Sequence, residues 1–301
     1  VLYDAQNPDQ PRTVFGALVV ALKIRKSAGG APFTVMSCDN VQGNGEVAKR
    51  AVIGLADAIA PDLSGWIEEN VAFPNGMVDC ITPATGDRER TMAAERFGIE
   101  DAAVVVCEPF RQWVLEDNFP QGRPALETVG VEFVPDVACY EQMKLRILNG
   151  GHAAIAYSSA LLGAHYTHDA MEIPLVRAFL EKLEREEIIP TVPAVPGVDL
   201  GQYLDQTIER FSNPEIGDTV ARLCLDGSNR QPKFILPTLA DRLKQAMPVK
   251  GLALEVALWC RYCAGTDDSG KPLFLDDENA ERLQKNARLA KNEPSVFLGM
   301  S

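Results

Sequence analysis

An α/β part reaching to about residue 136, followed by a mainly helical part to residue 301, is the fold class this sequence predicts. Two patterns carry that expectation. Short Val-rich apolar runs, FTVMSC (33–38) and AAVVVCEP (102–109), alternate with helical patterns in the first part. Long helical patterns dominate from about Asp136 onward. A chain of 301 residues, 46% hydrophobic and 24% charged, holds enough apolar material for one large or two ordinary domains. The expected domains are 1–136 and 137–301.

The elements follow in order. The runs at 33–38 and 102–109 are expected as strands, buried and parallel. Between them EVAKRAVIGLADAIA (46–60) places apolar residues at helical spacing, and Pro61-Asp62 ends that segment. Later helices are expected over 138–165, 170–187, 199–212, 214–225, 235–247, 250–264 and 277–291, punctuated by Pro and Gly, notably in TVPAVPGVD (191–199). No internal repeat or low-complexity tract interrupts the pattern.

Composition excludes several function classes. No apolar run reaches the length of a membrane span, and no basic-then-apolar leader opens the chain. Seven scattered cysteines do not form a disulfide framework, so a reducing cytoplasm is the expected compartment. A net charge of −13 (29 basic against 42 acidic residues) argues against nucleic acid as the main partner, because a phosphate backbone demands clustered Lys and Arg. Monomer and dimer are equally compatible with the sequence. The chain opens VLYDAQNP without an initiator Met and ends SVFLGMS, which reads as a piece of something longer.

Two stretches carry chemistry. The first is SCDNVQGNGEVA (37–48), where an apolar run meets G-x-G-x-x-A and a helix. A dinucleotide fingerprint also needs an acidic residue ending a strand about 20 positions on. Glu68 and Glu69 sit in no such strand, so the glycines are expected to serve a turn and helix start. The polar cluster Ser37-Cys38-Asp39-Asn40 remains, at the carboxyl end of an expected strand, where α/β folds place ligands.

The second stretch is YEQMKLRILNGGH (140–152). On an α-helix Lys144, Asn149 and His152 fall within an arc of about 140°. A Lys, an Asn and a His beside Leu145 and Leu148 pack poorly unless they face a cleft, although a solvated lysine and a satisfied core histidine are the bland alternatives. Gly150-Gly151 inside a helix costs about 1 kcal/mol per Gly relative to Ala, which points to close approach by a ligand or another backbone. Two chemistries fit. Tyr140 with Lys144 matches the Tyr/Lys pair of short-chain dehydrogenases, with Tyr as acid/base. Alternatively Lys144 is itself the base for an alcohol proton, and Asn149 with Asn40 hydrogen-bonds the alkoxide. Cys260-x-x-Cys263 lies in an apolar helix-like run and is expected as buried thiols rather than zinc ligands, even with His165 and His168 elsewhere in the chain.

SCDNVQGNG (37–45), FPNGMVDCITPAT (73–85) and KLRILNGGH (144–152), with RLCLDGSNRQPKF (222–234) and EPSVFLG (293–299), resemble the mannitol dehydrogenase family over nearly the whole chain. These are polyol-specific long-chain dehydrogenases and related hexuronate reductases. The resemblance implies the second half of a Rossmann-like domain followed by a helical substrate domain. It implies a metal-independent NAD- or NADP-dependent oxidoreductase interconverting a mannitol-like sugar alcohol and the ketose. A hexuronate reductase and a non-catalytic binding protein are the alternatives. The family's K-x4-N-x2-H motif falls on Lys144 as general acid/base, Asn149 on the reacting oxygen and His152 orienting substrate. Its S-C-D-N falls on Asn40, as partner of Asn149. Asp79 is expected near nicotinamide and substrate, and Arg222 and Arg230 at the outer hydroxyls or a carboxylate. The family's cofactor glycines precede S-C-D-N, so the resemblance implies that the chain lacks the first βαβ units and a C-terminal helix.

Overall fold

The computed structural model describes residues 2–299, which form two compact units. The first holds the chain up to Cys80 together with Phe110–Glu141. The second holds Ile81–Pro109 and the chain from Gln142 on.

The first unit opens with α1 (Leu2–Gln6), α2 (Val14–Ser27), α3 (Asn44–Ile59) and α4 (Pro61–Asn70). Thr13 starts α2, its hydroxyl accepting from the Gly16 N–H at 3.2 Å. Ala48, Val52, Leu55 and Ala56 form one buried stripe along α3 at spacings of three and four residues. They pack with Val19 and Leu22 of α2 and Leu63 and Ile67 of α4 into a continuous core. Each such Val, Leu or Ile contributes about 1.5–3 kcal/mol by burial. Ala60 is extended and Pro61 takes a first-turn position of α4, so the proline that ends one helix begins the next.

β1 (Gly76–Asp79) follows. α5 (Asp87–Phe97) lies in the stretch contributed to the second unit, and β2 (Gln112–Glu116) and β3 (Val131–Val134) return to the first. The sheet runs β1-β2-β3, with β1 and β2 antiparallel and β2 and β3 parallel. Neither expected strand is among its members. In 33–38 the Val35 N–H donates to the Ala72 carbonyl, but no ladder extends that contact among the described residues. In 102–109 Ala102, Ala103 and Val105 are exposed, and Glu108 meets Ile81 instead of a strand. Val-rich composition makes a segment competent to pair; a strand also requires a neighbour in register.

The second unit is helical. α6 (Ala138–Met143) spans the boundary and leads into a π-helical stretch, Lys144–Asn149, which continues as α7 (Gly150–Leu161). α8 (Thr167–Glu172) and α9 (Pro174–Leu183) follow, then a second π stretch over Glu184–Ile188. After these come α10 (Leu200–Phe211), α11 (Val220–Cys224), α12 (Gly227–Phe234), α13 (Leu236–Lys244), α14 (Lys250–Cys263), α15 (Ala280–Ala290) and α16 (Ser295–Leu298). Ten of the twelve residues of α7 are buried, so this helix is apolar nearly all round and is the pillar of the unit. α9, α11, α12 and α14 pack against it. No described helix is long and apolar enough to cross a membrane.

Candidate active site

The π stretch holds the first two motif residues. A π turn hydrogen-bonds i to i+5, is rare, and occurs most often at functional positions. It brings residues five apart, such as Lys144 and Asn149, closer to one face than the α-helical arc expected from the sequence. Lys144, Asn149 and His152 are all buried, at 6–7% exposure. The glycines that follow are explained by the protein itself. A Cβ on Gly150 would stand 3.4 Å from the Phe234 carbonyl. One on Gly151 would stand 3.3 Å from both the Glu184 carboxyl and the Phe211 ring.

His152 stacks on Phe211, with ring centroids 4.0 Å apart and planes 18° from parallel. Burial holds its pKa well below the usual histidine range, and the charges of Arg222, Arg230, Arg210 and Lys144 push the same way. At neutral pH the ring is therefore an uncharged imidazole, able to hydrogen-bond but not to act as a cation.

Arg222, in α11, forms a two-point ion pair with Asp218, and its backbone N–H donates to Thr219 at the helix start. Arg230, in α12, donates through Nη1 to the Arg222 and Leu223 carbonyls at 3.1 and 2.9 Å, capping the C-terminal end of α11. A cavity of about 690 Å³ with an apolar floor lies beside α11. Of the motif residues only Arg222 lines it, with His165, Tyr262, Lys271 and Phe274 among its other walls.

Sequence reasoning missed a buried ion pair. Glu108 accepts from Arg210 Nη2 at 2.6 Å and Nε at 2.9 Å, and also from the Ile81 N–H at 2.6 Å. This pair anchors two extended segments to the end of α10, beside Phe211. The available signal was an acidic residue closing the apolar run AAVVVC. Its partner, 102 positions away, leaves no mark in a local pattern.

Asn40 and Asp79 belong to the first unit. Asn40 is exposed, its N–H donating to Asp39 Oδ1 at 2.8 Å; Asp79 ends β1 and is buried. Buried Asn44 fixes the loop bearing Asn40. Its Nδ2 donates to the Ser37, Asp39 and Gly76 carbonyls, and its Oδ1 accepts from the Gly76 N–H. The Gly43 N–H donates to the Glu141 carboxylate at 3.1 Å, and the Gly45 and Glu46 N–H groups to Asn75 Oδ1. These N–H groups at the start of α3 already have protein acceptors. A Cβ on Gly45 would lie 2.4 Å from the Phe73 carbonyl. GNGEVA is thus built to seat a helix on backbone, and its donor set does not fit a cofactor's pyrophosphate.

The Tyr140/Lys144 alternative meets a physical obstacle. The Tyr140 hydroxyl donates to Glu132 at 2.8 Å, and burial with that carboxylate pushes its pKa up to about 12. An acid so committed is poorly suited to proton exchange near neutrality. None of the seven cysteines forms a disulfide. Cys260 and Cys263 lie in α14 with their thiol pKa values raised by burial, which opposes the thiolate a metal requires. No cluster of three or more potential metal ligands occurs among the described residues.

Two family models match the chain: the mannitol dehydrogenase Rossmann domain over residues 4–128 and the mannitol dehydrogenase C-terminal domain over residues 136–301. A mannitol 2-dehydrogenase of Cereibacter sphaeroides is 57% identical over 301 residues, covering all of this chain and 63% of that protein. A solved Pseudomonas fluorescens mannitol 2-dehydrogenase, in ternary complex with NAD and D-mannitol, superposes with a TM-score of 0.88 at 40% identity. That match covers 99% of this chain and 60% of the other. A substrate-free D-sorbitol dehydrogenase superposes with a TM-score of 0.85 at 35% identity, covering 99% and 65%. The chain thus spans about three-fifths of the length of the curated relatives it matches.

Proposed function

The chain belongs to the mannitol dehydrogenase family, and from that premise we propose that the protein interconverts a secondary alcohol of a mannitol-like polyol with the ketose, using NAD or NADP. The observation that carries this reading is the buried set of Lys144 and Asn149, on a π turn, and His152, on the central helix that continues it. Residues 1–136 take the cofactor side in this reading and 137–301 the substrate side. The nicotinamide, when bound, supplies the hydride chemistry.

This chain's residues manage the proton and the oxygen. Lys144 accepts the hydroxyl proton in oxidation and returns it in reduction. The Asn149 amide donates to the oxygen as negative charge develops there; one such donor is worth roughly 3–4 kcal/mol in the transition state. His152, kept neutral, orients the alcohol without adding a competing acid. The roles of Asn40, as a second donor, and of Asp79, near the reacting carbon, rest on the family resemblance. Arg230 is assigned to the outer hydroxyls on the same basis.

Arg222 favours a polyol over a hexuronate. Its guanidinium is already balanced by Asp218, which suits a hydroxyl better than a second carboxylate. A cytoplasmic location is supported by the seven cysteines, none of which forms a disulfide.

The test is reduced-nucleotide formation by the full-length protein on mannitol, sorbitol and arabinitol, beside ketone reduction on fructose and a hexuronate. Lys144→Ala is expected to abolish oxidation near neutral pH with folding retained. Full activity in that variant would remove Lys144 from the chemistry, and preference for the hexuronate would favour the reductase reading.

A further inference from the structure

A small cavity in the second unit adjoins His152. Its wall includes His152, Thr167, His168, Arg210, Phe211 and Asp218, and its volume is about 10 Å³, the space of a single water. Three buried polar atoms of this wall have no hydrogen-bond partner among the described residues: His152 Nε2, Thr167 Oγ1 and His168 Nδ1. The wall's other polar groups are engaged. Arg210 is paired with Glu108, Asp218 with Arg222, and Asn213 Oδ1 accepts from the Glu215 N–H.

Buried polar groups are satisfied almost without exception, by protein or by ordered water, whereas cavities that stay dry are apolar. Three residues that each carry an unpaired buried polar atom line one water-sized space, which meets both conditions for an ordered water. The hydrogen-bond valences also close. His168 Nε2 lies 3.4 Å from Asp169 Oδ1; in the Nε2–H tautomer Nδ1 presents a lone pair to the cavity side. A water donates to that lone pair, accepts from the Thr167 hydroxyl, and has one further bond for His152 Nε2. A cation is a poor occupant beside His152, where Arg222, Arg230, Arg210 and Lys144 all oppose a further positive charge.

We propose that one ordered water fills this cavity and bridges His152 Nε2, Thr167 Oγ1 and His168 Nδ1, making Thr167 and His168 positioning residues for His152. The functional part rests on the reading of His152 as the group that orients the alcohol. Phe211 then fixes the plane of the imidazole, and the water fixes its rotation within that plane. The bridge reaches across from α7 to the start of α8, where the Thr167 N–H is already held by the Asp218 carbonyl at 2.8 Å.

The experiment is a crystal structure of the full-length protein at a resolution that shows ordered solvent, for the wild type, Thr167→Val and Thr167→Ser, with a bromide soak of the wild type. The expected result is one solvent peak within hydrogen-bond distance of all three atoms in the wild type and Thr167→Ser, absent in Thr167→Val. In turnover, Thr167→Val should lower kcat/KM about three- to tenfold, the worth of one neutral hydrogen bond. Thr167→Ser should restore most of it. Direct pairing of two of the three atoms, an empty site, or replacement of the peak by bromide would overturn the proposal, and these readings need only the wild type if Thr167→Val fails to fold. A solvent peak in a protein that oxidises no polyol would refute the proposed function and leave the water standing. Polyol oxidation with no peak would do the reverse.

Discussion

Glu141 is buried and accepts the Gly43 N–H, yet burial, reinforced by Glu116 and Asp136, pushes its pKa up to about 7. The folded state therefore holds this proton more tightly than the unfolded chain, where a glutamate titrates near its ordinary value of about 4.3. Its contribution to stability is fully present below that value and is lost as pH rises through about 7. Glu141→Gln keeps a carbonyl acceptor for Gly43 and removes the charge. Its Tm should exceed that of the wild type at pH 8, and the difference should shrink toward pH 5 in parallel thermal melts. At this same scale the motif was legible, because Lys144, Asn149 and His152 are unlike their apolar neighbours. The residues that hold His152 were not. Phe211 looks like any core aromatic, and the Glu108–Arg210 pair joins positions too far apart for any window to relate them.

Helices in the second unit were legible because their burial follows the spacing of their apolar residues. In α10 Tyr203, Leu204, Thr207, Ile208 and Phe211 form a single face. The two π stretches were not, since a shift from i+4 to i+5 bonding leaves the apolar pattern almost unchanged over five or six residues. Strands fared worst. β1, β2 and β3 are four or five residues long, and pairing decides them more than composition does. The glycines of GNGEVA were correctly expected to serve local structure, and Gly45 shows why in a distance. Gly45→Ala would drive a methyl into the Phe73 and Pro74 carbonyls, atoms of the backbone that cannot swing aside. The expected loss is about 1–3 kcal/mol or more, read from the midpoint of urea unfolding. An unchanged midpoint would show that the α3 start can move off that segment.

Across the whole molecule, the chain leaves the first unit after Cys80, contributes Ile81–Pro109 to the second, and returns for β2 and β3. Composition changes near Asp136, so a linear reading divides the sequence there, and an excursion of this kind has no compositional signature. Its energetic anchor is Glu108. A fragment of residues 137–301 would bury Arg210 without its carboxylate, and breaking such a pair costs about 3–5 kcal/mol. That fragment is expected to melt well below the full chain, or to aggregate, when both are followed by circular dichroism. A fragment melting at the temperature of the full chain would mean that Arg210 finds another partner.

The cysteines also form a graded set of reporters. Cys38, Cys80 and Cys107 are exposed, Cys139 and Cys260 are half-covered, and Cys224 and Cys263 are buried, with burial pushing the Cys224 thiol up to about 12. Alkylation followed by mass spectrometry should therefore advance in steps, with the exposed trio modified in the native protein. Cys224 and Cys263, on helices packed around α7, should react only on the timescale at which that helix loses its cover. Their rate of labelling is then a clock for opening of the pillar that carries His152, readable without substrate or cofactor.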